Sequence, residues 1–438
     1  MNKEILELDE NNFYLTNHEN EIAILVGVDL NNSSSDINYE MEELKNLANA
    51  CDIDCADTLI QKLDSFNPRT YIGKGKIEEL KIMINNTDAT LVIFNDELTP
   101  SQIENLEDEL DVSIFDRTFI ILEIFKRRAR TKEALLQVEM ASLKYSLPRL
   151  KGLRKGLSRQ GGSGLNKGKG ETQLELDRRI TEDKINEIKK ELKLLSQNRQ
   201  NQRKKRNNSN LFKVSLAGYT NAGKSTLLNS LLKKQKSDFK VFEKDMLFAT
   251  LEAQTKLIET DKVNFLLTDT VGFISKLPHN LVEAFKSTLE EITEADLILH
   301  VVDSSNINYQ NQIEVTNQVL NDLGCKSIPI LYCFNKIDKY KTNSDDYFFI
   351  PSKYSNAIRI SAKTNYNIDA LIEEIINILT KEYKNVTLHV PYCDTSIINK
   401  IHENNGIIMN IEYRDEQIIT AQLNNYLYTI LQKYEKNS

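Results

Sequence analysis

Apolar residues follow three rhythms along this chain. In the first quarter, short apolar runs alternate with helically spaced ones. EIAILVGV (Glu21 to Val28), ATLVIFND (Ala89 to Asp96) and the shorter VSIFD (Val112 to Asp116) read as strands. EMEELKNLANA (Glu40 to Ala50), KIEELKIMI (Lys76 to Ile84) and SQIENLEDEL (Ser101 to Leu110) read as helices. Ser101 stands as an N-cap with Glu104 three residues on, which predicts a capping box. Residues 1–125 therefore predict a small N-terminal α/β domain. Inside it, Tyr71-Ile72-Gly73-Lys74-Gly75-Lys76 is only faintly like a phosphate loop, and a tight turn before a helix is the simpler expectation.

The second rhythm is heptad-like. Leu136, Met140, Leu143 and Leu147 share one face of a helix, and Ile185, Ile188, Leu192 and Leu195 share one face of another. Joined by a loop, they predict an antiparallel helical hairpin over 126–206. The joining stretch, 151–170, reads KGLRKGLSRQGGSGLNKGKG and holds 7 of the 15 glycines with six Lys/Arg and no acidic residue. Glycine lets a backbone approach closely and the cations meet phosphates. No aromatic is interleaved, so base stacking is not the expected mode of contact.

The third rhythm is that of a doubly wound sheet over 211–382. Apolar strands at Leu211 to Ala217, Asn264 to Thr268, Leu297 to Val302, Ile328 to Phe334 and Ala357 to Ile360 alternate with helical or polar segments. Beyond them, 386–438 read as strand, helix, strand, strand and helix, a small α+β domain with no motif and a docking role by default.

Chemistry sits where these strands end. GYTNAGKST, Gly218 to Thr226, is the phosphate-binding pattern G-x-x-x-x-G-K-[ST] between a strand and a helix that begins Leu227-Leu228. Gly218 and Gly223 let the backbone curl so that N–H groups, those of Asn221, Ala222 and Thr226 among them, face phosphate oxygens. The following helix adds its positive end. Lys224 would neutralise the outer phosphates, and Ser225 would hold Mg²⁺. Asp269-Thr270-Val271-Gly272 follows the second strand. Asp269 would reach Mg²⁺ through water, and the Gly272 N–H would meet the γ-phosphate. Thr250, in Phe248-Ala249-Thr250, is the candidate switch threonine closing on Mg²⁺ when the γ-phosphate is present. Lys224, Thr250 and Gly272 are the candidate catalytic groups, and Ser225, Thr250 and Asp269 the candidate metal ligands.

Asn335-Lys336-Ile337-Asp338 ends a further strand. The Asp338 carboxylate can accept two hydrogen bonds from guanine, a donor pair that adenine lacks, and Asn335 supports the loop. Ser361-Ala362-Lys363 follows the last strand and would offer the Ala362 N–H to the guanine carbonyl. Such motifs in order at the carboxyl ends of strands imply a GTP/GDP site. Phe273 stands where Ras-type proteins place a water-orienting glutamine, so slow basal hydrolysis completed by a partner or an ion is expected. Asn221 makes K⁺ a candidate for that ion.

Charge sharpens the picture. The 438 residues carry a net charge of −8, yet 126–206 hold 24 Lys/Arg against 9 Asp/Glu, which implies one polyanion-binding surface in an otherwise acidic chain. The acidic start MNKEILELDE lacks a signal-peptide pattern, and no apolar run is long enough to span a membrane. Five cysteines form no CxxC pair, so reduced thiols in a cytoplasmic protein are expected, with Cys51 and Cys55 a weak metal candidate at most.

Taken together, these stretches resemble the HflX family of translation-associated GTPases. The resemblance is carried by Asn67-Pro68-Arg69-Thr70-Tyr71-Ile72-Gly73-Lys74-Gly75-Lys76, Phe115-Asp116-Arg117-Thr118, Leu147-Pro148-Arg149-Leu150, Gly168-Lys169-Gly170-Glu171-Thr172-Gln173-Leu174-Glu175 and Asp177-Arg178-Arg179. The P-loop, Phe248-Ala249-Thr250-Leu251 and Asp269-Thr270-Val271-Gly272-Phe273 join them. The chain departs from the family pattern in having no tryptophan near the loop and Ser163 and Lys169 within it. The resemblance implies a cytosolic GTPase that binds the large ribosomal subunit, can split stalled ribosomes, is stimulated by the ribosome, and turns its N-terminal domain and glycine-rich loop to ribosomal RNA; a monomer is expected. It also implies ATP binding by the N-terminal region in some relatives. A ribosome-assembly GTPase, and a guanine-nucleotide-sensing module with negligible turnover, are the competing expectations. An ATP-driven RNA remodeller is a further one, and no second complete P-loop supports it.

Overall fold

The structure is a computed structural model. It describes residues 21–31, 36–150, 167–206, 211–234, 254–276, 286–340, 348–394 and 396–435. Phe248, Ala249 and Thr250 lie outside the described residues, as does 151–166 of the glycine-rich stretch. The chain forms two compact units: one contains the N-terminal residues through Ser196 together with Ser275 and Lys276, the other most of the remainder.

The first unit is built on a four-stranded parallel sheet in the order β2-β1-β3-β4, with β1 Glu21–Leu30, β2 Ile53–Leu63, β3 Leu91–Phe94 and β4 Ser113–Asp116. Helices α1 (Ile37–Asn49), α2 (Lys74–Thr87) and α3 (Pro100–Leu110) connect the strands. Ala23, Ile24, Leu25 and Val26 are wholly buried, as expected of a parallel strand covered on both faces. Strand β2 escapes the sequence pattern. It is an edge strand whose buried positions are few, Ile53 and Leu59 among polar residues, so no apolar run announces it. The capping box on α3 also differs from expectation. Thr99, two residues earlier than Ser101, accepts from the Gln102 N–H, and the Gln102 side chain answers the Thr99 N–H. Pro100 explains the shift: it is favoured in the first turn of a helix, where its missing N–H costs nothing. Tyr71 to Gly73 form the tight turn before α2, with Tyr71 at φ +64 and Gly73 as N-cap.

Helix α4 (Arg117–Arg128) was hidden in the sequence because Phe119 to Phe125 are buried all round, which erases the helical period. The fully buried Asp116 caps it, accepting from the Phe119 N–H at 2.9 Å. The same carboxylate takes the Leu98 N–H (3.1 Å), the Tyr145 hydroxyl (2.8 Å) and Arg149 Nη2 (3.3 Å). Arg149 also donates to the carbonyls of Leu98 and Tyr145 and stacks over the Tyr145 ring. Arg149, two residues before the glycine-rich stretch, is thereby fixed at the carboxyl edge of the sheet.

Helix α5 (Lys132–Ser146) and the 40-residue α6 (Lys167–Arg206) carry the heptad positions. Met140, Leu143, Ile185 and Ile188 are buried, whereas Leu136, Leu147, Leu192 and Leu195 are half-buried. Ion pairs Glu139–Lys184 (2.8 Å) and Lys132–Glu191 (3.1 Å) run in opposite senses along the two helices, which makes them antiparallel.

The second unit centres on a six-stranded sheet in the order β10-β9-β8-β5-β7-β6. Its strands are β5 Phe212–Ala217, β6 Gln254–Ile258, β7 Phe265–Asp269, β8 Leu297–Asp303, β9 Ile330–Asn335 and β10 Ala357–Arg359. Only β6, an edge strand that the sequence pattern did not reveal, is antiparallel. Helix α7 (Lys224–Lys234) follows β5, and α8 (Lys286–Thr293), α9 (Tyr309–Asp322) and α10 (Ile368–Leu379) complete this part. Val214, Leu216, Leu227, Leu267, Leu299, Leu331 and Leu371 form one continuous core. A three-stranded antiparallel sheet, β11 (Lys384–Val390), β13 (Gln417–Leu423) and β12 (Ile407–Tyr413) in that order, follows. Helices α11 (Ser396–Glu403) and α12 (Asn425–Leu431) pack Ile397, Ile401, Leu427 and Leu431 against it. Among the described residues, no helix is long and apolar enough to cross a membrane, and no three His, Cys, Asp or Glu side chains gather as a metal site.

Candidate functional site

The loop after β5 owes its shape to two glycines that no other residue could replace. Gly218 lies at φ +148, and a Cβ there would stand 2.2 Å from the Val301 carbonyl oxygen on β8. Gly223 lies at φ +93, and its Cβ would meet Asn335 Nδ2 at 2.3 Å. Between them Asn221 takes φ +59, a left-handed conformation asparagine tolerates. The loop therefore curls over the start of α7. Ala222 is buried, and Ser225 and Thr226 are half-buried in the first turn of the helix, whose positive N-terminal end favours anions.

Lys224 is buried. Its Nζ donates to the carbonyls of Gly218 (3.0 Å) and Tyr219 (2.8 Å), which hold it under the loop. Burial lowers it to about 8; Asp269 opposes this and the charge of Lys336 adds to it. Phosphate oxygens placed beside this amine would favour its charged form and raise it again. Triphosphate binding should therefore take up a proton above pH ~8 and take up almost none near pH ~6.5, where the amine is already charged. Calorimetry at each pH in two buffers of different ionisation enthalpy checks this, and Lys224→Ala should abolish the uptake. Beneath the loop, His300 pairs in register with Ala217; burial first, then the nearby Lys224, push it down to about 3, so its imidazole is neutral.

Asp269, wholly buried at the end of β7, accepts from Ser225 Oγ at 2.6 Å. A hydroxyl and a carboxylate oxygen thus meet at the mouth of the loop, the hard donors that Mg²⁺ accepts together with phosphate oxygens. The structure brings Ser225 and Asp269 together; Thr250, the third expected ligand, lies outside the described residues. Thr270 turns the other way and donates to the Leu216 carbonyl at 2.6 Å. Gly272 sits against the P-loop, where an added Cβ would be 2.9 Å from Thr220 Cα and 3.0 Å from Lys224 Nζ. Phe273, next in the chain, is buried. Its N–H donates to the Gly218 carbonyl (3.1 Å) and its carbonyl accepts the Thr220 N–H (2.7 Å).

The base-reading candidates gather at the ends of β9 and β10. Asn335 is the bolt between loops: Nδ2 donates to the Ala222 carbonyl (2.9 Å), and Oδ1 accepts the Ala362 N–H (3.0 Å). Its carbonyl takes the N–H and hydroxyl of Ser304. Asp338 is exposed, and Ser361 Oγ donates to its Oδ1 at 2.6 Å, which fixes the carboxylate plane. Lys336, at φ +64, reaches Asp303 at 2.8 Å, while Lys363 is exposed beyond the buried Ser361 and Ala362. Asp303 and Ser304 were not singled out from the sequence. Their signal was weak, a polar Asp-Ser-Ser after β8, and their role is to brace Lys336 and Asn335.

The arrangement can cradle phosphates, hold a divalent ion beside them and read a purine with paired donors. The sequence comparisons agree with it. Three family models match in succession: "GTP-binding GTPase N-terminal" over 38–126, "GTP-binding GTPase Middle Region" over 128–206 and "50S ribosome-binding GTPase" over 213–336. The GTPase HflX of Caldanaerobacter subterraneus subsp. tengcongensis is 46% identical over 391 residues, spanning 89% of this chain and 88% of that protein. The GTPase HflX of Escherichia coli strain K12 is 37% identical over 354 residues, spanning 80% and 82%. The SsGBP–GDP complex aligns at TM-score 0.44 and 26% identity, over 82% of this chain and 99% of that one. On relatives this similar along most of its length, the chain belongs to the GTPase HflX family and is a P-loop GTP hydrolase.

Proposed function

We propose that this GTPase acts in the cytoplasm on the large ribosomal subunit, binding it in the GTP form and splitting or rescuing stalled ribosomes. One observation carries the reading furthest. The segment 126–206 holds a net charge of +15 in a chain whose total is −8, and in sequence a glycine-rich, wholly non-acidic stretch joins its two antiparallel helices. Such a surface suits the phosphate backbone of folded RNA, which carries little information about base sequence and rewards close approach. The matching of 213–336 to a family described as ribosome-binding supports the same partner. Four working parts are assigned: 1–125, 126–206, 211–382 and 386–438, the last for docking.

In the nucleotide site, Lys224, Thr250 and Gly272 would meet the γ-phosphate, Ser225, Thr250 and Asp269 would hold Mg²⁺, and Asn335, Asp338 and Ala362 would read guanine. Mg²⁺, when bound, would neutralise charge on the β- and γ-phosphates. Phe273 supplies no group to orient water, so basal turnover is slow and the ribosome completes the site. K⁺ beside Asn221 is a candidate second cation. An assembly GTPase acting on immature particles is the alternative, and preference for mature over precursor subunits separates the two. Sedimentation with purified large subunits is the direct test. Binding in the GTP-analogue form should fall by about tenfold or more when four basic residues of 151–170 are replaced by alanine, and should weaken steeply with salt. Binding that ignores both the nucleotide and the basic residues would overturn the proposal.

A further inference from the structure

Ser275 and Lys276 follow the Asp269–Phe273 loop after a single residue, Ile274, yet they belong to the N-terminal unit. The way that unit holds them is specific. Lys276 Nζ lies 2.6 Å from Glu40 Oε2 and 2.6 Å from Asp96 Oδ1. Glu40 stands in the first turn of α1, after β1, and Asp96 lies just beyond the end of β3. These strands are neighbours whose connections leave in opposite directions (β1 toward β2, β3 toward β4), so Lys276 occupies the switch-point crevice of the parallel sheet, where α/β folds take their ligands. Two small hollows, one of about 170 Å³ beside Asp29, Phe66 and Glu40 and one of about 200 Å³ beside Asn95 and Arg117, flank the lysine.

The acceptors are themselves braced. Tyr71 OH donates to Asp96, and Asn95 Nδ2 donates to Glu40 Oε2 at 2.7 Å. Arg117, 1% exposed, donates to Asn95 Oδ1 at 3.0 Å and to Ser275 Oγ at 3.1 Å, and pairs with Glu43. Ser275 Oγ donates in turn to Glu43. A buried arginine, two buried glutamates and Asp96 are thus committed to two residues of one segment. Lys276 also takes φ +52, a conformation that a long side chain adopts only where its surroundings impose it.

We propose that this crevice is a receptor site for the ammonium of Lys276 and the hydroxyl of Ser275, and that its occupancy restrains the γ-phosphate-sensing loop. Gly272 and Phe273 are joined to the held residues by Ile274 alone. In the held form Phe273 consumes the Thr220 N–H, and Gly272 lies beside Lys224, the group expected to meet the outer phosphate, so near that an added Cβ would stand 3.0 Å from its Nζ. The γ-phosphate has to move Gly272, so anything that withdraws Lys276 from Glu40 and Asp96 favours the triphosphate over the diphosphate. The inference deepens the proposed function, since it rests on Gly272 as the sensor.

The test uses the full-length protein without ribosomes. Lys276→Ala, and separately Glu40→Gln with Asp96→Asn, should speed amide exchange in peptides covering Thr270 to Lys276. Affinity for a non-hydrolysable GTP analogue and basal GTP turnover should each rise by about fivefold, with GDP affinity unchanged. Lys276→Arg, which keeps the charge, should fall between these variants and the parent. Unchanged exchange, or faster exchange with an unchanged analogue-to-GDP affinity ratio, would overturn the latch. An equal loss of GDP and analogue affinity would also overturn it, by reducing the contacts to support of the fold. If instead the parent protein itself bound the analogue no better than Lys224→Ala does, it is the proposed nucleotide site that would fail.

Discussion

Asp338→Asn should convert the protein from a GTPase into a xanthosine triphosphatase. In the parent the carboxylate can take both the ring N–H and the amino group of guanine, and Ser361 Oγ fixes its plane from the far side at 2.6 Å. Asparagine keeps the shape but turns one acceptor into a donor, which faces the guanine amino group and leaves both unpaired. Affinity for GTP should fall by about a thousandfold or more, since a site built for paired hydrogen bonds rejects a mismatched partner by up to ~10⁴–10⁵. Xanthine carries a carbonyl where guanine carries the amino group, so it accepts from the new amide, and XTP turnover should approach the parent's GTP turnover. Paired titrations of the variant with GTP and XTP measure this. GTP affinity within a few fold of the parent would mean that Asp338 does not read the base.

Gly218→Ala should abolish nucleotide binding by a different route. The methyl group would be driven into the Val301 carbonyl at 2.2 Å, and that oxygen belongs to a central strand that cannot retreat. At φ +148 the backbone is also one that alanine resists. The loop has to shift, and Lys224, held by the carbonyls of Gly218 and Tyr219, shifts with it. Displacements of about 1 Å at such a site cost on the order of a hundredfold. Affinities for GDP and GTP should therefore fall together, in contrast to the selective loss from Asp338→Asn. Circular dichroism alongside the titration separates a moved loop from an unfolded unit. Normal affinity for both nucleotides would refute the close approach of β5 and β8 on which the loop's shape depends.

What could be read from the residues, and what could not, follows from the kind of information each part carries. The strand ends bearing Gly218, Asp269, Asn335 and Ser361 were legible because their chemistry requires particular residue types at fixed offsets, and the sheet brings those ends together. Strands β2 and β6 were not legible, because edge strands need few apolar residues and therefore lack a rhythm. Helix α4 was obscured by the opposite excess, since burial on every side leaves no polar face to mark the period. Within the site, Asn335, Lys336 and Ser361 were legible as residues, but the pairings that brace them were not. Asn335 as a bolt between Ala222 and Ala362, Ser361 as the holder of Asp338, and Asp303 as the partner of Lys336 all act across more than 20 residues of sequence. No local pattern records such pairings. The same holds for Lys276, an ordinary lysine in sequence whose importance arises only where Glu40 and Asp96 converge on it.

Whether hydrolysis depends on the ribosome is decided by GTP turnover with and without purified large ribosomal subunits, with Lys224→Ala as the blank. Turnover by the protein alone should be slow, because Phe273 is buried and offers no group to place water, and the subunit should stimulate it by about tenfold or more. Tight GTP binding with turnover that the subunit leaves unchanged would contradict that dependence.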